Sequence, residues 1–165
     1  MKLGAASVTA TDGDKAVLSL AAQNAKDNLG AEDLARFHTA VLRWGPSTPT
    51  ALHADIVLGA DITYSRDAWP ALAQTMRALR APVLLAASER RPQELTALRA
   101  YLDAAGLRSE LIESPMAAGY AAERVKLLWI ERPGDERCTF WTEEDAMQPS
   151  AEPLLAVKCE PPRRL

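Results

Sequence analysis

Along the chain, short apolar runs alternate with segments whose apolar residues recur at helical spacing. The β-rich run Ser7 to Thr11 ends abruptly at Asp12-Gly13-Asp14. Val17, Leu20, Ala21, Asn24 and Asn28 then share a helical spacing, and Gly30 supplies a stop. Phe37 to Leu42 predicts a second strand, closed by Trp44-Gly45-Pro46, and Pro46 to Thr50 is a loop by composition. Asp55-Ile-Val-Leu-Gly-Ala-Asp61 is a nearly continuous apolar run between two acids, which suits a central strand covered on both faces. Asp67 is placed to cap a helix with Trp69, Leu72, Met76 and Leu79 on one face, and Pro70 is tolerated in its first turn. Pro82 to Ala87 predicts a strand. Pro92 to Ala105 predicts a helix that buries Leu95, Leu98 and Leu102 and stops at Gly106. Leu107 to Glu113 and Val125 to Glu131 read as two closing strands.

Strands separated by helices of this length imply βαβ units and a mostly parallel sheet. The segment Ser114 to Arg124 carries no helical stripe, so the last two strands suit an antiparallel hairpin better than a crossover. The fold class is therefore α/β: a mostly parallel sheet with a C-terminal antiparallel hairpin, spanning residues 1–132. In residues 133–165 prolines and acids recur around one apolar patch, Leu154 to Val157, which predicts a Pro-rich tail of loop or disorder.

Composition narrows the function classes. The chain has 165 residues, 48% hydrophobic and 25% charged, as in one ordinary globular domain. Its net charge of -3 is mild and its basic residues are scattered, so no nucleic-acid surface is indicated. Cys138 and Cys159 belong to no CxxC or Cys/His cluster; they read as thiols of a reducing compartment, and no metal site is expected. The N-terminus has one lysine and then small residues, with no long apolar run. Neither a signal peptide nor a membrane span is expected, and the default is a soluble cytoplasmic protein.

In an open α/β sheet, ligands bind outside the carboxyl ends of the strands. Asp12 follows the first strand, where a carboxylate can accept both ribose hydroxyls of a nucleotide, and Gly13 lets the backbone approach closely. Trp44 follows the second strand, where a flat ring could pack on an adenine. Asp61 follows the third with Tyr64 one turn on, so that both could face the same crevice. Each residue also has a plainer use. Asp12 or Asp14 could simply cap a helix, Trp44 could fill a core edge, and Asp61 could form a turn.

Taken together, Val8-Thr-Ala-Thr-Asp12, Asn24, Asn28, Leu42-Arg-Trp-Gly45 and Asp55-Ile-Val-Leu-Gly-Ala-Asp-Ile-Thr-Tyr64 resemble the seven-strand, Rossmann-like methyltransferases of the methyltransferase-16 group. Members of that group are mostly protein-lysine methyltransferases, and the resemblance runs from about Gly4 to Glu131. It implies an S-adenosylmethionine-dependent enzyme acting on a lysine side chain of a protein partner. Asp12 would hold the ribose, Trp44 would lie beside the adenine and Ala60 would line the cofactor pocket. Asp61 and Tyr64 would shape the end where methyl transfer occurs. The group also has an earlier strand and a loop of the type Glu-x-Gly-x-Gly. Here Met1-Lys-Leu-Gly-Ala-Ala-Ser looks like the last turn of the helix after that loop. The expectation is therefore a domain without its first strand and Gly-rich loop, with weak or no cofactor binding by this polypeptide.

Two other readings stand beside this one. A non-catalytic interaction protein could keep the same fold as a binding surface. A receiver-like phosphoacceptor module would also place acids at Asp12, Asp14 and Asp61, a hydroxyl at Ser88 and a late lysine at Lys126. That module needs a helix where Pro46 and Pro49 sit, and a lysine that ends a strand, whereas Lys126 begins one.

Overall fold

The structure is a computed structural model, and it describes residues 4–48, 53–112 and 125–134. The chain divides into two compact units, whose described parts are residues 4–43 in the first and residues 44–48, 53–112 and 125–134 in the second.

In the first unit β1 (Val8–Asp12) leads into α1 (Lys15–Asn28), a short α2 (Ala31–Ala35) and β2 (Phe37–Val41). The two strands pair in parallel, from Val8 opposite Phe37 to Asp12 opposite Val41. Helix α1 starts where Asp14 caps it, its carboxylate accepting the N–H of Ala16 at 2.7 Å. It ends at Asn28, and Gly30, expected as a stop, instead heads the unforeseen α2. The buried face of α1 is offset from the stripe of Val17, Leu20, Ala21, Asn24 and Asn28. Leu18 and Ala25 are buried, whereas Val17 and Leu20 are exposed. Both stripes have helical spacing and they share Ala21, so in an alanine-rich helix periodicity alone cannot choose between them. Arg36, after α2, pairs with Asp33 and donates to the carbonyl of Ala5 at 3.0 Å.

In the second unit β3 (Val57–Ala60), α3 (Trp69–Leu79), β4 (Val83–Ser88), α4 (Glu94–Ala104), β5 (Arg108–Ile112) and β6 (Val125–Glu131) follow in order. The sheet order is β3-β4-β6-β5. β3 and β4 are parallel, and β6 runs antiparallel to both β4 and β5. Three strands therefore share one direction and β6 alone opposes them, which is the mostly parallel sheet with a closing antiparallel hairpin that the strand spacing implies. The receiver-like reading falls with this order, since a receiver-type sheet is parallel throughout.

Alternation along the strands sends Val83, Leu85, Ala87, Leu128 and Ile130 to one face of the sheet. There Trp69, Leu72, Ala73 and Met76 of α3 and Leu98 and Leu102 of α4 cover them, forming the core. Pro70 sits in the first turn of α3, as expected, but Asp67 does not cap that helix. It lies in a 3-10 turn (Arg66–Ala68), and the capping position is Ala68. Gly106 stops α4 with a φ of 77°, a conformation that glycine adopts at little cost.

The expectation of a third strand covered on both faces is not met among the described residues. There β3 is a sheet edge that pairs with β4 alone, and Leu58 is 69% exposed. A strand's own apolar run cannot tell which of its neighbours are present. Glu113, Ser114 to Arg124, Cys138, Cys159 and the tail from residue 135, including Leu154 to Val157, lie outside the described residues. No helix among the described residues is long and apolar enough to cross a membrane.

Candidate functional site

At the exit of β1 the two acids divide the tasks that the sequence left open. Asp14 is the helix cap. Asp12 closes a turn, its Oδ1 accepting the N–H of Asp14 at 2.8 Å, while its backbone carbonyl accepts the N–H of Leu42 at 2.9 Å. One carboxylate oxygen thus holds Asp12 in place, and the other takes no hydrogen bond among the described residues. Beside it, a Cβ added at Gly13 would meet the Arg43 side chain and the Leu42 carbonyl at 3.8 Å, an ordinary contact. Internal packing therefore does not require glycine at position 13.

Trp44 opens the second unit and keeps 38% of its surface exposed. The turn behind it is pinned to α3. The N–H of Gly45 donates to Thr75 Oγ1 at 2.9 Å, and Thr75 in turn donates to the carbonyl of Ala71 at 2.9 Å. Thr48 Oγ1 donates to the Gly45 carbonyl at 2.7 Å and lies 3.1 Å from Thr75 Oγ1. Gly45 has a φ of 128°, which a side chain would strain. The indole is therefore carried on a turn held from behind by buried hydroxyls.

At the exit of β3, Ala60 pairs with Ala86, and the N–H of Asp61 continues the ladder to the Ala86 carbonyl at 2.8 Å. Asp61 then adopts a left-handed φ of 54°, which aspartate tolerates better than most residues, and the chain leaves the strand there. The Asp61 carboxylate is ion-paired with Arg90, which lies just beyond the end of β4. The same guanidinium lies 5.8 Å from the centre of the Tyr64 ring. Asp61 and Tyr64 thus meet on one cation. Tyr64 is steadied through its neighbour, because the buried Trp69 donates its indole N–H to the Thr63 carbonyl at 2.9 Å. Arg90 is anchored by its backbone N–H, which donates to Oε2 of the buried Glu94 at 3.1 Å.

On the sheet face away from α3 and α4, Leu58, Gly59, Ala60, Leu84, Ala86 and Leu127 line an apolar hollow of about 320 Å³. Ala60 therefore sits between this hollow and the Asp61 cluster. Among the described residues no group of three or more His, Cys, Asp or Glu could hold a metal ion.

Four of the six candidate residues, Trp44, Ala60, Asp61 and Tyr64, lie in the second unit, and Asp12 and Gly13 lie in the first. Sequence reasoning missed Arg90, Thr75 and Glu94. A signal for Arg90 did exist. It is two residues past the end of β4, and the exits of adjacent parallel strands lie side by side.

A family model described as lysine methyltransferase matches residues 1–102 of this chain. Over 70 residues the chain is 40% identical to protein N-lysine methyltransferase METTL21A of Xenopus tropicalis, a match covering 42% of this chain and 32% of that protein. The match thus spans about a third of that curated relative. Among solved structures, the fold resembles that of a TehB-like SAM-dependent methyltransferase from Corynebacterium glutamicum, with a TM-score of 0.53 and 16% identity. That likeness covers 76% of this chain and 68% of the other, and it concerns the fold alone.

Proposed function

The chain belongs to the lysine methyltransferase family, and from that premise we propose that it transfers the methyl group of S-adenosylmethionine to the side-chain amine of a protein lysine. The observation that carries this reading is the cluster at the exit of β3. Asp61 and Tyr64 stand at the Asp-x-x-Tyr spacing within the matched segment and share one cationic partner. A carboxylate and an aromatic ring gathered around a cation suit an amine substrate.

Taken one at a time, the residues at the strand exits have features that suit the nucleoside part of such a cofactor. Asp12 has an oxygen to spare for ribose hydroxyls, Gly13 leaves room for close approach, and the exposed indole of Trp44 can pack on an adenine. Ala60, with only a methyl group, would line the pocket. When bound, the cofactor supplies an electrophilic methyl group on a sulfonium. The amine must arrive uncharged, because its lone pair forms the new N–C bond as the S–C bond breaks. Asp61 and Tyr64 would orient it by hydrogen bonds, and alignment matters more here than a strong base. The proton lost by the amine passes to solvent. A cytoplasmic setting accords with two cysteines that form no metal or redox motif.

Titrating S-adenosylmethionine into the purified chain by calorimetry, then screening for methyl-lysine by mass spectrometry, tests the proposal. Weak binding is expected, which Asp12→Ala reduces further by up to about ten-fold through the loss of a charge-assisted contact. No heat and no thermal shift would overturn the enzyme reading in favour of a non-catalytic binding module.

A further inference from the structure

We infer that Arg90 is a resident competitor for the acceptor amine, its guanidinium filling the cation subsite made by Asp61 and Tyr64 until a lysine ammonium displaces it. The inference rests on the reading of Asp61 and Tyr64 as the methyl-transfer end. It adds a gate that the approaching substrate must open.

The backbone that carries the subsite is tied down, and the side chain that occupies it is long and exposed. Asp61 is fixed by its ladder hydrogen bond to Ala86, and Tyr64 follows Thr63, which Trp69 holds. Arg90 is anchored at its backbone by Glu94, so its long side chain can leave while the chain stays in place. The pair is open to water, with the side chains of Arg90 and Asp61 53% and 49% exposed. A pair screened to that degree exchanges readily with another cation.

The chemistry of the two cations explains why the exchange is useful. A guanidinium stays charged at every relevant pH and presents no free lone pair, so Arg90 can satisfy Asp61 while being a far poorer methyl acceptor than a deprotonated lysine amine. A lysine ammonium offers the same charge to the same carboxylate and ring, and it can then lose its proton. Only a peptide with further contacts to the protein would outcompete a cation that is tethered beside its partner, because tethering raises the effective concentration of Arg90 at the site. Arg90 would thereby act as a specificity-determining residue, rejecting free amines in favour of docked protein lysines.

The test needs neither cofactor nor turnover. Nα-acetyl-lysine N-methylamide is titrated into the full chain by NMR, with the norleucine analogue as the uncharged reference. Arg90→Ala and Arg90→Gln should bind the lysine probe about three- to five-fold more tightly than the wild type, the range expected for removing a solvent-screened pair. Arg90→Lys, which keeps a tethered cation, should stay near the wild type, and Asp61→Asn should erase the preference for lysine over norleucine. Unchanged or weaker lysine binding in both folded neutral variants, or no preference over norleucine in them, would overturn the inference. That outcome leaves the cofactor titration untouched, whereas failure of the titration condemns the methyltransferase reading whatever the amine data show.

Discussion

The indole N–H of Trp69 donates to the carbonyl of Thr63 at 2.9 Å, tying the first residue of α3 to the segment that carries Tyr64 out of β3. Trp69 also packs in the core, with its ring centre 5.9 Å from that of Tyr101. One buried side chain thus serves both the core and the placement of a candidate site residue. Trp69→Phe should keep most of the packing and lose the hydrogen bond, costing about 1–3 kcal/mol in urea unfolding for the buried carbonyl left unpaired. Methyl transfer should fall with it, chiefly through a weaker apparent affinity for substrate, as steady-state kinetics would show.

The two acids at the exit of β1 should separate cleanly. Asp14→Ala removes the cap of α1 and should cost about 0.5–2 kcal/mol of stability, with the cofactor affinity of the folded protein nearly unchanged. Asp12→Ala should instead show its main effect in cofactor affinity. Parallel thermal melts and calorimetric titrations of both variants check this, and equal affinity losses would contradict the ribose role of Asp12.

Gly13→Ala offers a test without charge. A methyl group there makes only ordinary contacts with Arg43 and Leu42, so stability should change by less than about 1 kcal/mol. Cofactor affinity should nonetheless fall, because the added group occupies space beside the ribose. Unchanged affinity would show that no ligand approaches this backbone.

The N–H of Gly45, in the turn behind Trp44, depends on the Thr75 hydroxyl. Thr75→Val keeps the shape of the side chain but strands the N–H of Gly45, which should cost about 1–3 kcal/mol in denaturant unfolding. The Trp44 contribution to the fluorescence, read as the difference between each protein and its Trp44→Phe counterpart, should shift to the red as the turn loosens.

Asp61 carries a backbone demand as well as a chemical one. Asp61→Asn should leave stability within about 0.5 kcal/mol, because asparagine also tolerates the left-handed region, whereas Asp61→Ala should cost about 1 kcal/mol more. Both should lose methyl transfer. Activity retained in the asparagine variant would remove the carboxylate from the proposed site.

The alternation of apolar runs and helical stripes is encoded within a few residues of each position, so the order of the strands and longer helices and the closing hairpin could be read from the chain alone. The five-residue α2 was too short to leave such a stripe. Asp12 and Asp61 could also be read from the sequence as strand-exit residues, because an acid that ends a strand-like run marks its own place, and Trp44 could be read from the Trp-Gly-Pro turn after the second run. Which stripe of α1 is buried, which acid caps it and which cation meets Asp61 all required the folded chain. These depend on strand order, register and packing between distant segments, such as Arg90 arriving from β4 beside the end of β3, and no local pattern carries that information.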